Sequence, residues 1–401
     1  MLPNIRIKNF RMLQDFEVPK LGRVNLIVGK NNCGKSTVLE ALRIYAGRAH
    51  PSLLQAILFD HDESLRAIRG GGIDEDESAW LAIKHLFPNR EFPKEDDKPI
   101  VVETNDGQSL FGWRPLIRLD HLFYYFRTEE ERSPDGEIRQ RSTRVTVSKL
   151  DAADNREQPL RPAVRVTFSE SSAQSAWLDL DDEMRNRPAA RSLAWRLADE
   201  LPVIRAGYLP THFLPPEVLA DLWDETTLSP NEAFVLQALQ IIEPEVQGLA
   251  FVKNTEADRY TRTRDARVAI VKLKSQEMPI PLNSMGDGML RILQLILAVF
   301  PARGGLLLVD EFENGLHYSV QEEVWKMIFM LAEKLDIQVF ATTHSWDCIE
   351  SFTKVALEQP DNGVLFKMSR SKLLSDCGKI IATVYDEEAL KTVTASDLEV
   401  R

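Results

Sequence analysis

A glycine- and lysine-containing loop near the amino terminus has the residue types and spacing that bind phosphate. Residues 29–36 read Gly-Lys-Asn-Asn-Cys-Gly-Lys-Ser and fit the pattern GxxxxGK[ST]. Glycines let backbone N–H groups converge on phosphate oxygens, Lys35 supplies a positive charge for the β- and γ-phosphates, and the Ser36 hydroxyl can ligate Mg²⁺. The motif predicts that the nucleotide is bound by Gly29, Asn31, Asn32, Cys33, Gly34, Lys35, Ser36 and Thr37.

Two adjacent carboxylates end an apolar run far downstream. Residues 304–311 read Gly-Gly-Leu-Leu-Leu-Val-Asp-Glu, the pattern of a Walker B segment. Asp310 is predicted to hold Mg²⁺ together with Ser36, and Glu311 to polarise the attacking water. The same two acids could also follow an ordinary strand at a solvated turn. Because the phosphate-binding loop is present as well, we favour the functional interpretation.

These groups require buried strands that end beside one another. The apolar run 24–28 predicts a strand buried on both faces, and the apolar spacing over 37–45 predicts a helix directly after the loop. Further strands are predicted at 306–309 and 338–342, and further helices at 288–300 and 319–335. This alternation indicates a parallel sheet flanked by helices. In that context a chance glycine turn, on the order of a few per cent by composition, explains the loop poorly.

The rest of the chain has a different pattern. Alternating residues at 5–10 and short strands between 100 and 168 predict an antiparallel β layer. A hairpin-like pair of strands is predicted at 249–252 and 268–273. We therefore predict an amino-terminal lobe over 1–170, a helical insertion over 171–247 that serves as a dimerisation or effector arm, and a carboxyl-terminal lobe over 248–401.

Several segments together resemble one group of ATPases. Residues 311–317 (Glu-Phe-Glu-Asn-Gly-Leu-His) resemble the turn after Walker B in ABC-type ATPases, and 342–345 (Thr-Thr-His-Ser) resembles their switch histidine segment. The opening residues and the phosphate-binding loop resemble RecF, chromosome-maintenance and overcoming-lysogenisation-defect (OLD) ATPases. Residues 283–288 (Asn-Ser-Met-Gly-Asp-Gly) look like the signature of OLD-like members. The resemblance covers residues 1–50 and 280–346.

The resemblance implies an α/β fold of the ABC-ATPase head type, with a mixed, largely parallel core sheet. It implies ATP and Mg²⁺ as ligands, with Lys35, Glu311 and His344 in catalytic roles. His344 would donate a hydrogen bond to the γ-phosphate. Two subunits would close on the nucleotide as a homodimer or higher homo-oligomer, in which Ser284, Gly286 and Gly288 contact the nucleotide held by the other copy. The glutamine that usually links the metal to the lobe interface has no assigned position in this sequence.

The resemblance also suggests the biological role of the ATPase. The chain ends about 55 residues after His344, which we expect to be too soon for an appended Toprim-type nuclease domain. We therefore expect the sensor or scaffold ATPase of a prokaryotic anti-phage defence system, acting with a separate, nuclease-like effector protein. The alternatives are a DNA-repair or chromosome ATPase that grips duplex DNA, and a nucleotide-gated assembly platform with little turnover.

Composition narrows the class of protein. The 401 residues are 44% hydrophobic and 27% charged, which is typical of a folded globular protein. A net charge of −12 argues against non-specific coating of nucleic acid. The cysteines are far apart and form no zinc-binding spacing, so we expect a reducing compartment and no disulfides. No apolar run is long enough to cross a bilayer, and we expect a cytoplasmic protein without a membrane partner.

Two groups of arginines could contact a phosphate backbone. Acidic residues are interspersed with both groups, so we favour solvated loops over a nucleic-acid site. An aromatic triplet, residues 124–126, precedes the first group and is predicted to be core. The arginines in question are Arg139, Arg141, Arg144, Arg259, Arg262, Arg264 and Arg267.

Overall fold

A computed structural model gives the architecture of the chain. It describes residues 1–63, 79–107, 112–132, 138–154, 159–168, 175–180, 204–253, 267–359, 361–373, 376, 378–385 and 390.

A mixed six-stranded sheet forms the centre of the described structure, in the order β16-β15-β3-β14-β13-β9. The five strands from β15 to β9 run parallel, and β16 pairs antiparallel with β15 at one edge. The largely parallel core predicted from the sequence is therefore confirmed. The strands are β3 (Val24–Gly29), β9 (Ala206–Leu209), β13 (Leu306–Val309), β14 (Gln338–Thr343), β15 (Gly363–Arg370) and β16 (Ile380–Tyr385).

An antiparallel sheet covers one face of this core and confirms the predicted β layer. Its order among the described residues is β2-β1-β4-β5-β7-β8, with β6 paired to β5. The strands are β1 (Ile5–Phe10), β2 (Leu13–Val18), β4 (Ile100–Thr104), β5 (Arg114–Arg132), β6 (Ile138–Val147), β7 (Arg161–Phe168) and β8 (Ser175–Asp179). A separate small sheet contains β10 (Val246–Lys253), β11 (Arg267–Leu273) and β12 (Ile280–Pro281), and its first two strands form the predicted hairpin.

Helices pack on the sheets and connect the strands. The α-helices are α1 (Lys35–Ala46), α2 (Pro51–Asp60), α3 (Lys149–Asp154), α4 (Pro216–Thr226), α5 (Glu232–Gln240), α6 (Asp287–Val299), α7 (Tyr318–Lys334) and α8 (Trp346–Glu358). Short 3₁₀ helices cover Ala79–Leu86, Pro88–Arg90 and Leu282–Met285. In the described part of the chain, no helix combines the length and the apolar character needed to span a bilayer.

The core strands are buried on both faces, which explains their continuous apolar sequences. Leu26 belongs to the hydrophobic cluster that contains α6, α7 and α8, whereas Ile27 belongs to the cluster formed with α1 and the antiparallel sheet. Leu307 and Leu308 divide between the same two clusters. Side chains alternate between the two faces of a strand, so both sides of each core strand must be apolar.

The expectation that residues 171–247 are mainly helical was wrong for two segments. β8 belongs to the antiparallel sheet, and β9 pairs in parallel with β13 inside the core sheet. A Cβ built at Gly207 of β9 would lie 2.2 Å from the carbonyl oxygen of Ala298, so this close approach of α6 requires glycine. α4 and α5 are helical as predicted, and 171–174 and 181–203 lie outside the described residues.

Candidate functional site

The phosphate-binding loop connects the end of β3 to the start of α1. Gly34 directly precedes the helix with φ of 90°, a conformation that glycine adopts without steric cost. A Cβ at Gly29 would lie 2.5 Å from the carbonyl oxygen of Met368 and 2.8 Å from Cys33 Sγ. Lys35 Nζ donates hydrogen bonds to the carbonyl oxygens of Gly29 (2.8 Å) and Lys30 (3.2 Å), and so lies over the loop.

Asp310 lies directly beside this loop. Ser36 Oγ donates a hydrogen bond of 3.1 Å to Asp310 Oδ1, and the buried Thr342 hydroxyl donates one of 2.5 Å to the same oxygen. Thr211 Oγ1 lies 3.4 Å from Asp310 Oδ2. Four oxygen-bearing side chains from four segments therefore meet at the carboxyl ends of the core strands. Hydroxyl and carboxylate oxygens are the donors that Mg²⁺ prefers in proteins, so the residues present fit this ion.

Glu311 and His344 lie next to each other at the same edge of the sheet. Glu311 follows β13 with φ of 48°, an uncommon value for a residue other than glycine, and its N–H donates to Thr342 Oγ1 at 2.8 Å. His344 follows β14, and its Nδ1 lies 3.6 Å from Glu311 Oε1 and 3.2 Å from Glu313 Oε1. The Glu311 side chain is 36% exposed, so water has access to its carboxylate.

A cavity of about 710 Å³ opens over the loop and Asp310. Of the residues predicted from the sequence, those that line it are Asn31, Asn32, Gly34, Lys35, Ser36, Thr37, Asp310 and Glu311. Cys33 lies beneath the loop and is 5% exposed, and this burial raises the pKa of its thiol. A buried, protonated thiol is a poor nucleophile, so Cys33 has a packing role beneath the loop.

The opposite wall of the cavity contains a charged network that sequence reasoning missed. Arg11 Nε lies 2.8 Å from Glu40 Oε2, and Arg11 Nη2 lies 3.1 Å from Glu63 Oε2. His61 Nε2 contacts Glu40 Oε1 at 2.5 Å, and this hydrogen bond raises the pKa of His61. Arg90 also pairs with Glu63. The network joins the turn before β2 to α1 and α2, and no spacing along the chain brings its members together.

Arg291 of α6 braces the main chain around the two acids. Its guanidinium donates hydrogen bonds to the carbonyl oxygens of Pro210 (2.9 Å), Asp310 (2.8 Å) and Glu311 (2.7 Å). The side chain is fully buried, and burial lowers its pKa to about 10, so the group stays charged at neutral pH. In the sequence Arg291 interrupts an apolar helical pattern, and that interruption was the signal that could have revealed it.

The segment expected to contact a second nucleotide lies apart from the loop of its own chain. Ser284 is exposed and donates to the carbonyl oxygen of Pro281 at 2.6 Å, and Gly286 with φ of 95° directly precedes α6. A Cβ at Gly288 would lie 3.1 Å from the carbonyl oxygen of Gly315. None of Ser284, Gly286 and Gly288 lines the cavity over Lys35.

Two of the arginines proposed for nucleic acid, Arg144 and Arg267, pair with carboxylates. Arg144 Nη2 lies 3.0 Å from Asp179 Oδ2, and its guanidinium stacks on the ring of the buried Tyr124. Arg267 pairs with Asp224 at 2.5 Å. In the β5–β6 ladder the register sets Arg141 opposite Glu129 and Arg139 opposite Glu131. Arg259, Arg262 and Arg264 lie outside the described residues.

A protein-family model matches most of the chain and decides its family. The model is AAA_21, described as "AAA domain, putative AbiEii toxin, Type IV TA system", and it matches residues 24–347. The chain belongs to the AAA_21 family. The match begins at β3 and ends just after His344, so it includes the phosphate-binding loop and both acids. The fold is an α/β P-loop fold with a largely parallel core sheet, and membership in an AAA family supports nucleotide binding in general terms.

Individual relatives are similar to this chain over segments of different length. An "ATP/GTP phosphatase" of Helicobacter pylori is 24% identical over 370 residues, which is 90% of this chain and 89% of that protein. The "OLD nuclease" of Thermus scotoductus is 45% identical over 53 residues, only 13% of this chain and 10% of that protein. The "DNA replication and repair protein RecF" of Proteus mirabilis is 28% identical over 120 residues, 29% of this chain and 32% of that protein.

Solved structures of chromosome-maintenance heads cover the chain with low similarity. An Smc head bound to the C-winged helix domain of ScpA has a TM-score of 0.45 and 11% identity, and covers 97% of this chain and 99% of that one. The SMC head domain from Thermotoga maritima has a TM-score of 0.40 and 9% identity, with 95% and 98% covered. The strand order and the family match, and not these scores, support the fold.

Proposed function

We propose that the protein binds ATP with Mg²⁺ in the cavity over residues 29–36 and hydrolyses it there. The observation that carries this proposal is the hydrogen bond between Ser36 and Asp310, which joins the phosphate-binding loop to the Walker B acid at 3.1 Å. Lys35 and Glu311 line the same cavity. The family match and the ATP/GTP phosphatase relative support the same chemistry.

We assign the steps of the proposed reaction to the following residues. Ser36 and Asp310 would hold Mg²⁺, which neutralises charge on the phosphates when bound. Lys35 would release the carbonyl oxygens of the loop and place its charge on the phosphates instead. Glu311 would accept the proton of the attacking water, and His344 would donate a hydrogen bond to the γ-phosphate. Arg291 holds the main chain of Asp310 and Glu311 in place during these steps.

Substitution of Lys35 tests the proposed site. We expect Lys35→Ala to abolish hydrolysis and to weaken ATP binding at least tenfold, because the phosphates lose their fixed cation. Lys30→Ala is the matched control, since Lys30 is an exposed lysine of the same loop that does not line the cavity. Calorimetry would measure ATP binding, and phosphate release would measure hydrolysis, in each variant. Equal binding and turnover in wild type and Lys35→Ala would overturn the proposal.

We further propose that two copies close face to face on the nucleotide. Ser284, Gly286 and Gly288 do not line the cavity of their own chain, which leaves them available to a nucleotide on a second copy. Gly286 precedes α6, and N–H groups at a helix start attract phosphate. Light scattering of Glu311→Gln with Mg²⁺ and ATP should give twice the mass of one chain. Gly288→Glu, which adds bulk and negative charge to this seam, should prevent the doubling.

We propose that this ATPase is the sensor or scaffold of a prokaryotic defence system with a separate effector. The family description names a toxin and a type IV toxin–antitoxin system, and the OLD nuclease relative shares a short segment. The proposed location is the cytoplasm. Co-purification from the native host, with ATP present and absent, would test whether a nuclease-like protein accompanies the chain. Recovery of the chain without any such protein in both states would contradict the effector role.

The alternative is an ATPase that binds DNA directly, which the RecF relative favours. The paired arginines weigh against it, because Arg144 and Arg267 already contact carboxylates. Binding of duplex DNA, measured at several salt concentrations, distinguishes the defence ATPase from the ATPase that binds DNA directly. Affinity that falls steeply with salt, together with DNA-stimulated turnover, would support the alternative. A nucleotide-gated platform would instead show tight ATP binding with turnover that stays low even when the partner is added.

A further inference from the structure

Glu313 lies two residues after the proposed base, Glu311. Its carboxylate contacts both the main-chain N–H and the imidazole ring of His344. Glu313 Oε1 accepts a hydrogen bond of 3.0 Å from the His344 N–H and lies 3.2 Å from His344 Nδ1. The Glu313 side chain is 10% exposed, whereas that of His344 is 52% exposed. The other carboxylate oxygen, Oε2, is buried and has no hydrogen-bond partner among the described residues. The hydrogen bond that this nearly buried carboxylate accepts therefore comes from His344.

The turn that contains Glu313 is held by contacts that do not involve His344. The N–H of Glu311 donates to Thr342 Oγ1 and that of Phe312 donates to the Thr342 carbonyl oxygen at 2.9 Å. Asn314 Nδ2 donates to the Thr211 carbonyl oxygen at 2.6 Å. The Phe312 ring stacks on the buried Trp325 with centroids 3.6 Å apart. The core therefore fixes the Glu313 carboxylate, and the more exposed histidine is the member of the pair that can be oriented.

We propose that Glu313 is a positioning residue for His344, an inference that rests on the proposed ATPase function. A carboxylate that accepts from one ring nitrogen of a histidine fixes the ring and points the other nitrogen away. Here Nδ1 lies 3.2 Å from Glu313, so Nε2, on the other side of the ring, is left to face a phosphate.

The contact between Glu313 and His344 also leaves the carboxylate of Glu311, the proposed base, free to accept a proton. His344 Nδ1 lies 3.2 Å from Glu313 Oε1 but 3.6 Å from Glu311 Oε1, so Glu313 is the nearer of the two carboxylates to the ring. Without Glu313 the nearest remaining carboxylate is Glu311, and a hydrogen bond from the imidazole would occupy an oxygen that must accept the proton of water. Loss of Glu313 should therefore slow the chemical step and leave nucleotide binding unchanged.

A double-mutant cycle on hydrolysis tests this assignment. Glu313→Ala should lower kcat by roughly 10–100-fold with little change in KM, as expected for a residue that orients an active-site histidine. Glu313→Gln keeps an oxygen that accepts from the His344 N–H and should recover much of the rate. Glu313→Ala combined with His344→Ala should be no slower than His344→Ala alone. Multiplied losses in the double variant would overturn the proposal. The exposed Glu333→Ala is the matched control.

A second readout does not depend on turnover. Proton–nitrogen spectra of protein with ¹⁵N-labelled histidine report the surroundings of the His344 ring nitrogens directly. The His344 signals, among those of seven histidines, are assigned from His344→Ala. Glu313→Ala should move the His344 signals, and Glu333→Ala should not. Unchanged His344 signals in folded Glu313→Ala would overturn the positioning role. If the wild type failed to hydrolyse ATP while the signals moved, the proposed function would be wrong and the contact would stand.

Discussion

The hydroxyl of Ser36 lies 3.1 Å from a carboxylate oxygen of Asp310, although 274 positions separate the two residues in the sequence. The strand order explains this meeting. β14 lies between β3 and β13, and all three run parallel, so the residues that follow them lie at one edge of the sheet. Thr342 of β14 donates to Asp310 from the middle of this arrangement.

Replacement of the proposed base should separate binding from chemistry. Glu311→Gln keeps the size of the side chain but removes its capacity to accept a proton, so hydrolysis should fall about 100- to 10,000-fold. ATP affinity measured by calorimetry should stay within a few-fold of wild type, because Lys35 and Ser36 are unchanged. Wild-type turnover in Glu311→Gln would remove Glu311 from the mechanism.

The Thr342 hydroxyl should matter both for stability and for the site. It donates to Asp310 Oδ1 and accepts from the Glu311 N–H, and the residue is fully buried. Thr342→Val leaves that N–H without a partner, so the free energy of unfolding should fall by about 1–3 kcal/mol. Thr342→Ser retains the hydroxyl and serves as the control. Urea unfolding measures the difference, and equal stability of the Val and Ser variants would contradict the assigned hydrogen bonds.

Arg291 should be the most sensitive buried polar residue around the site. Arg291→Met fills a similar volume but removes three hydrogen bonds to main-chain carbonyl oxygens, and we expect a loss of at least about 2 kcal/mol in the free energy of unfolding. Arg291→Lys retains a charge that can reach one of these oxygens and should lie between Arg291→Met and wild type. Denaturant midpoints rank the three proteins. A Met variant as stable as wild type would show that the brace has no net effect.

Stability should fall on mild acidification because of His121 in β5. Burial lowers its pKa to about 4, and the ring stacks on Phe92 with centroids 4.0 Å apart. A histidine with a lowered pKa in the folded state takes up its proton more readily when unfolded. Its contribution is therefore complete above the unfolded pKa of about 6.5 and is lost as the pH falls from there toward 4.

Between neutral pH and pH 4, His121 should reduce the free energy of unfolding by about 3 kcal/mol, at 1.36 kcal/mol for each unit of pKa difference. His121→Phe removes the titrating group and retains an aromatic ring against Phe92. Urea unfolding at pH 7, 6, 5 and 4 should therefore show a smaller loss of stability in the variant. Parallel pH profiles for the two proteins would show that another group is responsible.

Residues that belong to local motifs could be placed from the sequence. Gly34 and Lys35 follow one strand, and Asp310 and Glu311 follow another, so the strand and loop pattern was sufficient for their placement. β9 was missed because four residues with a central glycine give too short a pattern, and its identity as a strand depends on pairing with β13.

The contacts that support the site could not be predicted in the same way. Thr342 was recognised only as part of the histidine segment, and Arg291 only as a member of a helix, because their partners lie on other strands. Glu313 belongs to a turn whose family likeness was clear, yet its contact with His344 depends on the distance between two strand ends. Such roles follow from tertiary packing and not from sequence spacing.

A crystal structure of Glu311→Gln with ATP and Mn²⁺ in place of Mg²⁺ would show whether the nucleotide and its metal ion lie between the phosphate-binding loop and Asp310. Anomalous scattering from manganese would locate the ion. We expect the manganese peak at coordination distance from Ser36 Oγ and close to Asp310. Lys35 Nζ should contact the phosphates. Residues 284–288 of a second copy should face the γ-phosphate. A nucleotide bound elsewhere, or a metal peak far from Ser36 and Asp310, would contradict the proposed site.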